Sequence, residues 1–108
     1  MPLKVKTMDL SELTAAMQAF VTAKGWYAPG TKRPQTARNL AISLSLETAE
    51  VLEHFQWREA SQDKQALAGE LADVALYLLQ LAAVTEIDLE QAILNKLKHN
   101  ATREWDTA

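Results

Sequence analysis

Only six of the 108 residues are glycine or proline, and four of them, Gly25, Pro29, Gly30 and Pro34, fall within one short stretch. Elsewhere the backbone has almost no residue that favours a turn. Such a chain must be built from long regular elements joined by short connectors. Its abundant residues, Ala, Leu, Glu and Gln, are good helix formers, and aromatics make up only 6%. The fold class expected is all-α. The length suits one domain, residues 1–108. A hydrophobic share of 48% is too high for a disordered chain.

Hydrophobic spacing predicts four helices, at about 9–25, 36–57, 64–84 and 88–103. Asp9 and Glu12 have capping-box spacing, and Leu10, Leu13, Met17, Phe20 and Val21 then recur at helical intervals. Gly25 suits the left-handed stop, followed by the loop WYAPGTKRPQ. Thr36 is the expected cap of the second helix. Leu40 to Leu46 alternates apolar and polar as a strand does, but no turn signal separates it from the segment beyond. Leu40, Leu44, Val51 and Phe55 also fall on one helical stripe, so helix is the preferred reading. Ser61 is the expected cap of the third helix and Asp88 of the fourth; residues 104–108 are expected to fray.

The third helix is apolar on nearly every face from Leu71 to Val84. A helix of that kind is buried on all sides. One short chain has too few elements to surround it, so a homodimer or homotetramer is expected. The longest unbroken apolar run, Val74 to Leu79, is taken as too short for a membrane span. No signal peptide is visible at the N-terminus, and there are no cysteines, which removes disulfides and thiolate metal sites. The expected location is cytoplasmic. With 11 basic and 14 acidic residues the net charge is −3, a poor match to a nucleic-acid polymer.

The charges are unevenly spread. From Leu13 to Leu46 there is no acid but four bases, Lys24, Lys32, Arg33 and Arg38. From Asn39 to Trp57, and again from Gln65 to Asn95, there are acids but no Lys or Arg. Surface helices usually mix both signs. Glu47 occupies a place on the apolar stripe, with Glu50 three residues on. Glu70 and Asp73 repeat that spacing on the third helix. If the two helices pack antiparallel, four carboxylates converge without basic partners. Buried acids of this kind take up protons or bind a cation, and an all-oxygen ligand set suits Mg²⁺ or Mn²⁺. His54 and His99 lack a glutamate three residues before them, so both are read as surface residues rather than di-iron ligands. Lys96, Asn100 and Arg103 share one face of the last helix. Trp57, seven residues after Glu50, and Tyr77, four after Asp73, lie in line with the acid pairs.

The segments ARNL at 37–40, LETAEVLEHFQW at 46–57, GELADVALYL at 69–78 and KLKHNATR at 96–103 together resemble the MazG-like all-α nucleoside triphosphate pyrophosphohydrolases, in particular the dCTP pyrophosphatase-like branch. The resemblance implies a four-helix core assembled as a dimer or dimer of dimers. It also implies hydrolysis of a nucleoside triphosphate to monophosphate and pyrophosphate. Glu47, Glu50, Glu70 and Asp73 match the Mg²⁺-binding acids. Trp26, Arg38, Trp57, Tyr77, Lys96, Asn100 and Arg103 match nucleotide-contacting positions. Glu47, or next Glu50, is the candidate acceptor of the attacking water's proton. The chain departs from the branch at Met17, where a base-contacting histidine is usual, in a longer 26–38 loop, and in Glu104-Trp105-Asp106 after Arg103. Base selectivity is what these departures touch. The competing expectations are a helical oligomerisation module without catalysis and a nucleotide sensor without turnover.

Overall fold

The computed structural model describes residues 7–104 and is all-α. Its helices are α1 (Leu10–Ala23), α2 (Ala37–Glu53), α3 (Lys64–Val84) and α4 (Leu89–Thr102). Of the expected frayed tail, residues 105–108 lie outside the described residues. The alternating segment 40–46 is helical, so the stripe rather than the alternation was decisive.

The helix ends follow from local chemistry. Asp9 and Glu12 form the reciprocal capping box of α1, the Asp9 carboxylate accepting from the Glu12 N–H at 2.8 Å. Thr36 Oγ1 accepts from the Asn39 N–H at 3.1 Å and Asp88 from the Gln91 N–H at 3.0 Å. α1 closes in a Schellman turn: Gly25, at φ 77°, donates to Thr22 O, and Trp26 donates to Val21 O. α3 closes the same way, but with Glu86 at φ 59° in the left-handed position.

Two boundaries differ from expectation. α2 stops at Glu53, and residues 54–57 form a tight turn in which Phe55 N–H bonds to Leu52 O at 2.9 Å. Trp57 therefore does not continue the face of Glu50, and it is 85% exposed. Ser61 does not cap α3. Asp63 does, accepting from the Ala66 N–H at 2.9 Å, while the Ser61 hydroxyl lies 2.9 Å from His54 Nδ1. His54 draws the connector back against the end of α2.

α3 is the central element. α2 packs along it most extensively, α1 covers another part of it, and α4 rests on α1. Buried apolar side chains are few: Met17, Val21, Leu40, Leu79 and Ala82. Leu71, Leu76 and Leu78 of α3 remain exposed. The radius of gyration is 16.9 Å, against about 13 Å for a compact domain of this length. The accessible surface is 8915 Å², against about 6,000 Å² for a monomer of this mass.

By length and composition alone α3 is long and apolar enough to cross a membrane, a property that core helices of soluble proteins share.

Candidate active site

The short 54–63 connector makes α2 and α3 a helical hairpin and brings their acidic pairs together. Glu47 is half-buried and feels the charges of Glu50, Asp73 and Glu70. Burial pushes its carboxyl above the ordinary value of 4.5; a hydrogen-bonding contact with Glu50 and repulsion from all three neighbours push the same way. Its Oε2 is buried without a hydrogen-bond partner. Glu50 and Asp73 are exposed, and Glu70 is half-buried.

These carboxylates suit a hard divalent cation. The donors are all oxygen, and the orphaned Glu47 Oε2 needs a positive or hydrogen-bonding partner. Among the described residues no three acidic or histidine side chains already stand as a ligand cage. Like charges repel, and such groups close to ligand distance only around a cation.

His54 corrects the surface reading. Its side chain is only 15% exposed, its Nε2 is in ion-pair contact with Glu70 Oε2, and its Nδ1 meets Ser61. The ring thus links the end of α2, the connector and an acid of α3. His99 is exposed on α4.

From Asp73 a groove of about 770 Å³ runs between α1, the 24–36 loop, the start of α2 and α3. Its walls are mainly apolar and aromatic, with Met17, Phe20, Leu40 and Leu76 among them, and Trp26 and Tyr77 both line it. Trp26 stands edge-on to Phe20 at 5.7 Å between centroids, and the Arg33 guanidinium lies 5.6 Å from the Trp26 ring centre. The loop thereby holds an indole in the wall of a cavity that Asp73 also lines.

The structure does not bring every candidate to this groove. Arg38 is exposed on the first turn of α2 and does not line it. Trp57 lies outside it, as do Lys96 and Asn100 on α4 and Arg103 just past its end. Conversely, Gln35, Asn39 and Gln80 line it without having been singled out. A signal for Gln80 was present: it is an amide in an otherwise apolar stretch, seven residues after Asp73.

An antiparallel pair of helices carrying Glu-x-x-Glu and Glu-x-x-Asp beside an aromatic groove defines an all-α protein with an acidic site suited to a divalent cation. Residues 42–107 match the MazG-like family, and the chain belongs to it. It is 37% identical over 75 residues to dCTP pyrophosphatase 1 of Mus musculus and to that of Homo sapiens, an overlap of 61% of this chain and 44% of each relative. The chain thus spans less than half the length of these relatives. It is also similar to a crystal structure of a pyrophosphatase from Archaeoglobus fulgidus. There the TM-score is 0.72 at 33% identity, covering 92% of this chain and 94% of that one.

Proposed function

We propose that this chain is a Mg²⁺-dependent nucleoside triphosphate pyrophosphohydrolase, with Mn²⁺ as a working substitute, releasing a nucleoside monophosphate and pyrophosphate. The observation that carries this reading is Glu47, half-buried among Glu50, Glu70 and Asp73 with an unpartnered carboxylate oxygen, in a group whose Asp73 also lines an aromatic groove. The names of its relatives support the same chemistry and a preference for dCTP. A role in clearing unwanted nucleotides from the cellular pool, in the cytoplasm, fits that activity.

Phosphoanhydride cleavage depends on positioning and charge neutralisation more than on covalent help. Glu47, Glu50, Glu70 and Asp73 would hold the cation, which when bound offsets the charge of the triphosphate and makes a bound water more acidic. Trp26 and Tyr77 bind and orient the nucleoside in the groove. Glu47 is the best-placed proton acceptor. Water adds at the α-phosphorus, its proton passes to Glu47, and the bond to the bridging oxygen of pyrophosphate breaks. Arg38, Trp57, Lys96, Asn100 and Arg103 join the nucleotide site only if assembly or substrate brings them to it.

We further infer that the functional unit is a homodimer or homotetramer. Leu71, Leu76 and Leu78 stand exposed on the apolar helix α3, a patch of the kind that a second copy covers. A second copy covering α3 also accounts for the apolar character of that helix without a membrane. The deciding experiment is pyrophosphate release across a panel of canonical and modified triphosphates with Mg²⁺. Orthophosphate alone, or no product from any of them, would overturn the assignment.

A further inference from the structure

Asp73, Tyr77 and Gln80 share one face of α3, at i, i+4 and i+7, and all three line the groove. At 1.5 Å per residue that face runs about 10 Å from the acidic end to Gln80. Gln80 is 4% exposed and is the one buried polar residue among those described. An amide in an apolar wall is costly unless its hydrogen bonds are made.

Two bonds fix the orientation of this amide. Gln35 Nε2 donates to the main-chain carbonyl of Arg33 at 2.6 Å. That turns Gln35 Oε1 toward α3, where it accepts from Gln80 Nε2 at 2.6 Å. A carbonyl oxygen only accepts, so Arg33 dictates which end of Gln35 it meets, and Gln35 in turn dictates which end of Gln80. Turning Gln80 over would set oxygen against oxygen. What Gln80 has left is its Oε1 as acceptor and one N–H as donor, in a fixed order.

We propose that Gln80, locked by Gln35, is a specificity-determining residue that selects nucleotides whose base carries an exocyclic amino group beside a ring-nitrogen acceptor. Cytosine and adenine offer that donor–acceptor edge, and glutamine reads it on adenine in duplex DNA. Uracil and thymine offer the reverse, a carbonyl beside an N–H, and would need the amide orientation that Arg33 and Gln35 forbid. The inference rests on the nucleotide-hydrolase reading and adds the group that reads the base.

The test compares dCTP with dUTP, which differ at the 4-position. It uses kcat/KM for pyrophosphate release and, separately, calorimetric Kd values for their α,β-methylene analogues. The native protein is expected to favour the cytosine nucleotide by tenfold or more. Gln80→Leu is expected to bring that ratio close to one, mainly through KM. Gln35→Leu keeps Gln80 but unlocks it, and is expected to improve uracil binding while cytosine binding changes less. A native ratio near one, or a ratio unchanged in both variants, overturns the proposal. If no triphosphate is hydrolysed, the hydrolase reading fails, and the analogue Kd ratios still decide the role of Gln80.

Discussion

Glu47 and Glu50 stand one helical turn apart on α2 and within hydrogen-bonding reach of each other, with burial raising the Glu47 carboxyl above its ordinary value. A hydrogen bond between two carboxyl groups needs a proton, and burial favours the protonated form of Glu47. The sign of the pH dependence follows. The folded state binds the Glu47 proton more tightly than the unfolded state, so metal-free stability is greatest at low pH with respect to this group. It falls as pH rises from about 4.5 through the raised folded value. Thermal melts of metal-free protein across that window are expected to show the fall, and Glu47→Gln to flatten it. A native profile that rises through the window would contradict the crowding of these acids.

Mg²⁺ is expected to raise the melting temperature at neutral pH. A ligand bound only by the native state stabilises by about 2.7 kcal/mol at a hundred times its Kd. The rise is expected to shrink in Asp73→Asn and Glu50→Gln. Both variants are expected to lose turnover while keeping a helical circular-dichroism spectrum, since each removes one ligand charge at constant size. Near-native rates in either would remove that residue from the cation site.

Trp26 lines the groove and Trp57 does not. Stacking of a base on an aromatic contributes about 1–3 kcal/mol, so Trp26→Ala is expected to weaken analogue binding by roughly tenfold or more. Trp57→Ala is expected to do the same only if assembly brings Trp57 to a nucleotide. Titration of both variants separates the two tryptophans, and unchanged binding in Trp26→Ala would remove the loop indole from the site.

Sedimentation at micromolar concentration is expected to give a dimer or tetramer. A monomer with full helical content would show that the exposed leucines of α3 need no cover.

Glu86 holds a left-handed conformation that costs a residue with a Cβ about 1 kcal/mol. Glu86→Gly is expected to raise the melting temperature by a few degrees without touching activity, and a lower value would mean that the Glu86 side chain has a role of its own.

The four helices were legible because spacing and caps agreed: Asp9, Thr36 and Asp88 each accept the N–H expected of them. The α2 end was not, because His54, Phe55 and Gln56 carry no stop signal. What ends the helix is the reach of His54 to Ser61 and Glu70, which no local pattern encodes. The acid pairs were legible from their spacing and from the missing bases. The groove was not, since Gln35 and Gln80 meet across 45 residues of sequence. Periodicity describes one element at a time and gives no pairing between a loop and a helix.

All four acids lie between residues 47 and 73, on the two arms of the α2–α3 hairpin. The aromatic mouth of the groove comes instead from α1 and the 24–36 loop. In the proposed reading α3 therefore carries both an acid, Asp73, and the base-facing Tyr77 and Gln80, whereas α1 and the loop add the apolar wall and the Trp26 indole. On that reading, substitutions in α1 or the loop are expected to reshape the surface that meets the nucleoside while the four acids stay where they are, which makes the loop the place to diversify the protein.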